Sequence, residues 1–139
     1  MERTAVIIAL VLLAIITFKP ILPEVEGKFM PVVIGTKLNL VERHPDLDGW
    51  TIISGTTMKQ RECDFISIEW YLGTERGARS KAQVRFLETT KTRPPTEFEW
   101  GPWAVQLTPS QLFENSSAVA KHDCHSGWHT KTLFWSSKP

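Results

Sequence analysis

Ala5 to Phe18 is an unbroken stretch of fourteen aliphatic and small residues with no charge, and it splits the chain into two parts of different physical character. Apolar on every helical face, the stretch lacks the polar stripe that a helix lying on a soluble domain needs. It is expected to sit in a membrane rather than in a core. As a helix it rises about 21 Å, short of the roughly 30 Å hydrocarbon layer. Thr4 on one side and a snorkelling Lys19 on the other close most of the gap, with Ile21 and Leu22 beyond. Arg3 supplies the charged start of a secretory signal, but Lys19-Pro20-Ile21-Leu22-Pro23 offers no Ala-x-Ala-like cleavage pair. Residues 1–22 therefore read as an uncleaved signal-anchor, a single-pass span over Ala5 to Phe18, with removal as a signal peptide the alternative. Charge bias does not set its orientation, because Arg3 lies on one side and Lys19 and Lys28 on the other.

The cysteines bear on that orientation. Cys63 and Cys124 stand sixty-one positions apart, which matches neither zinc-site nor thioredoxin-type spacing. In an exported domain the expected state is one disulfide, the alternative being two unrelated buried thiols. Net charge is +1 with both signs interspersed, so the chain carries no electrostatic footprint for nucleic acid.

Pro20, Pro23, Gly27 and Pro31 punctuate the stretch after the anchor, and residues 23–36 read as an extended stalk. Beyond it, strand signals recur about every 8–12 residues. Lys37 to Val41 alternates polar and apolar, and Trp50 to Ile53 and Met58 to Cys63 flank Gly55. In Asp64 to Leu72 the alternation places Ile66, Ile68, Trp70 and Leu72 on one face. After a turn at Gly73 to Gly77, Ala82, Val84 and Phe86 point one way, and Lys81 and Arg85 the other. Phe98 to Trp100 and Trp103 to Leu107 flank the breaker Gly101-Pro102. Thr108-Pro109-Ser110-Gln111 is a helix start, with Thr as N-cap, Pro at N1 and Gln at N3. Ala118 to His125 and Thr130 to Trp135 close the chain as a hairpin. The pattern predicts a mainly β domain over residues 37–139, a small antiparallel β-sandwich with one short helix. It is immunoglobulin-like in architecture only, since the position two before the second cysteine holds His122 rather than the tyrosine of true immunoglobulin domains.

Four short motifs carry a family resemblance: Cys63-Asp64-Phe65, Glu69-Trp70-Tyr71-Leu72-Gly73, Trp100-Gly101-Pro102-Trp103 and His122-Asp123-Cys124-His125. Together they resemble small exported proteins encoded by phages or prophages, over roughly residues 50–135. The resemblance implies a phage or bacterial setting and no activity. In that setting the expected location is the bacterial inner membrane, single-pass, with the C-terminal domain in the periplasm, or secreted after signal cleavage.

Three clusters are candidates for chemistry. His122, His125 and His129 fall within eight residues, and imidazoles suit zinc and copper. A blue-copper set lacks its downstream Met, and a c-type haem motif lacks its first Cys, so structural or surface histidines are the main expectation, with no cofactor. Among six tryptophans, Trp70 belongs to the core, whereas Trp100 and Trp103 around Gly101-Pro102 are expected to be exposed, as contacts for a protein partner or a glycan. Arg76, Arg79, Lys81, Arg85, Lys91 and Arg93 make a basic stretch that reads as a solvated face. No Gly-x-Ser-x-Gly, His-Glu-x-x-His, phosphate-loop or dinucleotide motif occurs, so catalysis has no sequence support. The expected function is an extracytoplasmic binding module for a protein partner; a cell-wall glycan binder and a histidine-hairpin metal domain are the alternatives.

Overall fold

The computed structural model describes residues 2–73, 77–89 and 92–138. Among the described residues three helices and eight strands follow in the order α1 (Glu2–Phe18), α2 (Leu22–Phe29), β1 (Val33–Arg43), β2 (Thr51–Lys59), β3 (Asp64–Leu72), β4 (Ser80–Ala82), β5 (Val84–Phe86), β6 (Glu97–Val105), α3 (Pro109–Glu114), β7 (Ser116–Asp123) and β8 (Thr130–Ser136). The strands form two antiparallel four-stranded sheets, ordered β1-β2-β6-β5 and β4-β3-β7-β8. That is the A-B-E-D and C′-C-F-G order of immunoglobulin-type sandwiches, so the likeness extends from architecture to strand order. The conserved features of antibody domains do not come with it: His122 occupies the tyrosine position, and the disulfide lies elsewhere.

Cys63 and Cys124 are bonded, as the sequence led us to expect. The bridge does not join the sheets. It links the residues just outside the Asp64–Asp123 pair, at one end of the neighbouring strands β3 and β7. Alternation buries Ile68 and Trp70 as expected, but a register shift between Phe65 and Ser67 turns Phe65 toward the core and leaves Ile66 43% exposed. The interior is aromatic: Phe134 meets Trp70, Trp100 and Trp103 at centroid distances of 6.5, 5.1 and 5.8 Å. The capping box at Thr108 forms, with Thr108 Oγ1 accepting from the Gln111 amide and the Gln111 side chain accepting from the Thr108 amide.

The expected common face of Lys81 and Arg85 fails because of a change of direction that period-2 reading does not register. Lys81 and Arg85 do not share a face, because the chain changes sheets at Gln83: Ala82 pairs with Trp70 in one sheet and Val84 with Val105 in the other. Lys81 bonds Glu69 at 2.7 Å, and the Arg85 guanidinium lies 4.7 Å from the Trp50 ring centroid. Arg76 and Lys91 of the basic stretch, and the centre of the Gly73–Gly77 turn, lie outside the described residues.

Residues 23–36 are not an extended stalk. Leu22–Phe29 is a helix with proline in its first turn, and β1 begins at Val33, four residues before the expected domain start. Val32 and Val33 are core residues, and the Val32 amide donates to Thr132 Oγ1 at 3.1 Å. Among the described residues no single helix is long and apolar enough to cross a membrane. Arg3–Phe18 and Leu22–Phe29 together reach that length but are bent by 60°.

Candidate functional site

Two polar constructions sit at the end of the sandwich where α2 enters. The first centres on Glu26. Its carboxylate is buried and collects four donors: Arg61 Nη2 on Oε1 at 2.8 Å, and His125 Nε2, Trp128 Nε1 and Thr130 Oγ1 on Oε2 at 2.9, 2.7 and 2.9 Å. Burial opposes ionisation, but the bonds from His125, Arg61, Thr130 and Trp128 outweigh it and hold the carboxyl at about 2. The Gly127 amide donates to His125 Nδ1 at 3.2 Å, so the Nε2–H tautomer satisfies both neighbours. Gly27 lets this helix touch the sheet: a Cβ there would stand 1.7 Å from the Lys131 carbonyl oxygen. Glu26 therefore clamps α2 to β8 and to the β7–β8 hairpin.

The second construction is a cavity of about 50 Å³ between the sheets. Trp100, Trp103, Phe98 and Phe134 supply aromatic wall, and Lys59 and His122 supply its buried polar part. Glu88 and Glu99, both exposed, and half-buried Arg93 line its outer edge. The Lys59 ammonium donates to the Cys63 and Arg93 carbonyls. Burial lowers its pKa, against the opposing pull of Asp64 and Glu62. His122 packs edge-on to Phe65 at 5.8 Å. Burial, with Lys59 and Arg61 adding repulsion, lowers its pKa to about 4, so the ring is neutral at neutral pH.

Trp100 and Trp103 are thus not the exposed pair expected from the sequence; they are 3% and 5% exposed. The reason is an extra residue in β6. Ile53 pairs with Trp103 and Gly55 with Trp100, so two steps of β2 face three of β6, and both indoles turn inward across Gly101-Pro102. A surface stacking platform built from them does not exist. Gly55 makes the space, since a Cβ there would lie 2.8 Å from Trp100 Cζ2.

The histidine trio is dispersed. His122 points into the core, His125 bonds Glu26, and exposed His129 lies 3.9 Å from Asp123. Among the described residues, no three His, Cys, Asp or Glu side chains gather in a way that would hold a metal ion.

Sequence reasoning missed Glu26 and Lys59. Glu26 lay in a segment read as stalk. Lys59 carried a usable signal: it continues the inward series Thr51, Ile53, Gly55 and Thr57, so period 2 places a lysine inside. Glu69 was also missed as a centre. It holds Lys81, Lys121 and the Tyr71 hydroxyl at 2.7, 3.0 and 2.9 Å on the outer face of its sheet.

Comparison with protein-family models, with curated proteins and with solved structures finds no match to this chain.

Proposed function

We propose that this protein is a membrane-anchored extracytoplasmic binding module, held at the bacterial inner membrane by α1 with its sandwich in the periplasm. The observation that carries the reading is α1 itself. Its apolar side chains are open on every side, Leu13 at 61% and Ile16 at 72%, and a bilayer is the medium that removes such a surface from water. The fourteen apolar residues of α1 fall short of a usual span, a gap to be closed by snorkelling flanks and local thinning of the bilayer. Trp128 borders the hollow beside Phe18 and Leu22, a position suited to an indole at headgroup depth. The disulfide supports an oxidising compartment.

Glu26 gives this arrangement a mechanical consequence. Because α2 is bonded to the sandwich, the domain stands directly on its anchor rather than on a flexible tether. Its partner is then a protein that comes to the membrane surface, one of the envelope or of a phage programme.

The test is fractionation of bacteria producing the full chain, followed by alkaline extraction and protease treatment of spheroplasts. The expected outcome is a chain that stays in the inner membrane, with the sandwich digested only once the outer membrane is opened. Release of an intact chain by alkali, or protection of the sandwich in spheroplasts, overturns the reading.

A further inference from the structure

A hollow of about 480 Å³ opens between the last turns of α1 and the tip of the β7–β8 hairpin. Ala14, Ile15, Phe18 and Leu22 wall it on the helical side, and Gly127 and Trp128 on the other. Among the described residues that line it, Lys19 alone carries a charge. The hairpin wall is fixed in place, because the Trp128 indole donates to buried Glu26 at 2.7 Å and packs edge-on to His125 at 4.6 Å. With its one polar group committed to Glu26, the indole has only carbon to offer the hollow.

The chemistry of those walls selects the occupant. An ordered water needs about two to four polar partners, and the side chains here supply little beyond the Lys19 ammonium. The volume is many times the roughly 30 Å³ that one water takes up in the liquid, so it holds a length of chain rather than one small group. Ala14 stands four residues before the end of α1, about 6 Å along the helix, so the hollow reaches below that end and into the apolar run. A bilayer that holds the run therefore opens into the hollow and supplies hydrocarbon to it. Lys19, the first residue beyond α1, is placed to meet the phosphate of a lipid headgroup.

We propose that the hollow seats one acyl chain of a membrane phospholipid, between α1 and Gly127 and Trp128, with the headgroup phosphate against the Lys19 ammonium. This rests on the anchored-module reading and adds a lipid site to it. The lipid fills the angle between the anchor and the hairpin that Glu26 clamps, so the sandwich meets the bilayer at a second point besides α1.

The full chain is reconstituted in phosphatidylcholine vesicles containing phosphatidylglycerol with a photoreactive diazirine on its acyl chain, or diacylglycerol with the same group. After irradiation and reduction, the labelled residues are mapped by mass spectrometry. Phosphatidylglycerol is expected to label both α1 and the hairpin tip at His125 to Trp128, and to label the tip several-fold more than diacylglycerol, which has no phosphate. Lys19→Gln brings the two lipids to the same level at the tip. Ala14→Phe, an exposed substitution that fills the hollow from the α1 side, lowers labelling of the tip several-fold and leaves labelling of Val6 to Val11 unchanged. Four results each overturn the site while the anchored module stands: α1 labelled with the tip untouched, tip labelling unchanged in Ala14→Phe, diacylglycerol labelling the tip as strongly as the phospholipid, or a phospholipid preference that survives Lys19→Gln. A chain with no label on α1 removes the module itself, and the site with it.

Discussion

His122 illustrates how one buried side chain sets a pH dependence. In the unfolded chain its ring takes a proton near 6.5, whereas in the folded protein burial and the charges of Lys59 and Arg61 delay this until about 4. Between those values the unfolded state binds more protons, so stability falls as pH drops through the window. The contribution is fully present above 6.5 and gone below 4, about 3 kcal/mol in all. Glu26 and Glu69 act in a lower window. Their folded values of about 2 against 4.5 make their contributions disappear only as pH falls from 4.5 toward 2. Urea unfolding of the full chain across pH should therefore show a slope between 6.5 and 4 that His122→Leu abolishes and that the carboxylate window below it retains. An unchanged slope in the leucine variant would mean that another group titrates there. Neither the histidine's place opposite Phe65 nor its lack of a partner was legible in the sequence, because a register shift turns Phe65 inward and sequence carries no record of what faces an imidazole across a sheet.

At the scale of elements, α2 is where the structure departs furthest from expectation, and Gly27 tests why. Prolines and a glycine in a short polar stretch read as a loop, yet Pro23 stands in the first turn, where it suits a helix, and Gly27 faces the sheet, where only a bare Cα fits. Both residues serve packing that local composition does not reveal. Gly27→Ala raises intrinsic helix propensity but drives a methyl into the Lys131 backbone. The expected result is loss of α2 docking at about 1–3 kcal/mol, seen as faster amide exchange in α2 and at Thr130 to Thr132 while β3 stays protected. Unaltered exchange in those segments would show that α2 is not clamped. Where propensity and tertiary packing agreed, the sequence was a good guide: the α3 capping box, the β7–β8 hairpin and the run through Trp70 all form. Where a bulge intervened it misled. The shift near Ile66 inverts the faces before it, at Phe65 and Ile66, and the extra residue at Gly101-Pro102 brings Trp100 and Trp103 to one face; no pattern of hydrophobicity marks where a strand gains a residue.

For the whole molecule the disulfide is the decisive constraint. It joins the start of β3 to the end of β7, so it encloses both middle strands of one sheet together with β4, β5 and β6, which span the crossover to the other. In the chain-entropy account a sixty-one-residue separation stabilises by about 4 kcal/mol, a large part of the roughly 5–15 kcal/mol typical of a domain. The bridge also sits beside the Lys59–Cys63 bond and the Glu26 clamp, so opening it frees the loops that hold α2. The Cys63→Ser/Cys124→Ser chain, compared with the oxidised protein in urea, should lose about 4 kcal/mol and unfold with a steeper denaturant dependence, because its unfolded state is no longer held compact. A midpoint that does not move would show that packing alone fixes the ends of β3 and β7. A large loss would tie the stability of the fold to an oxidising compartment, where the two thiols stay bonded.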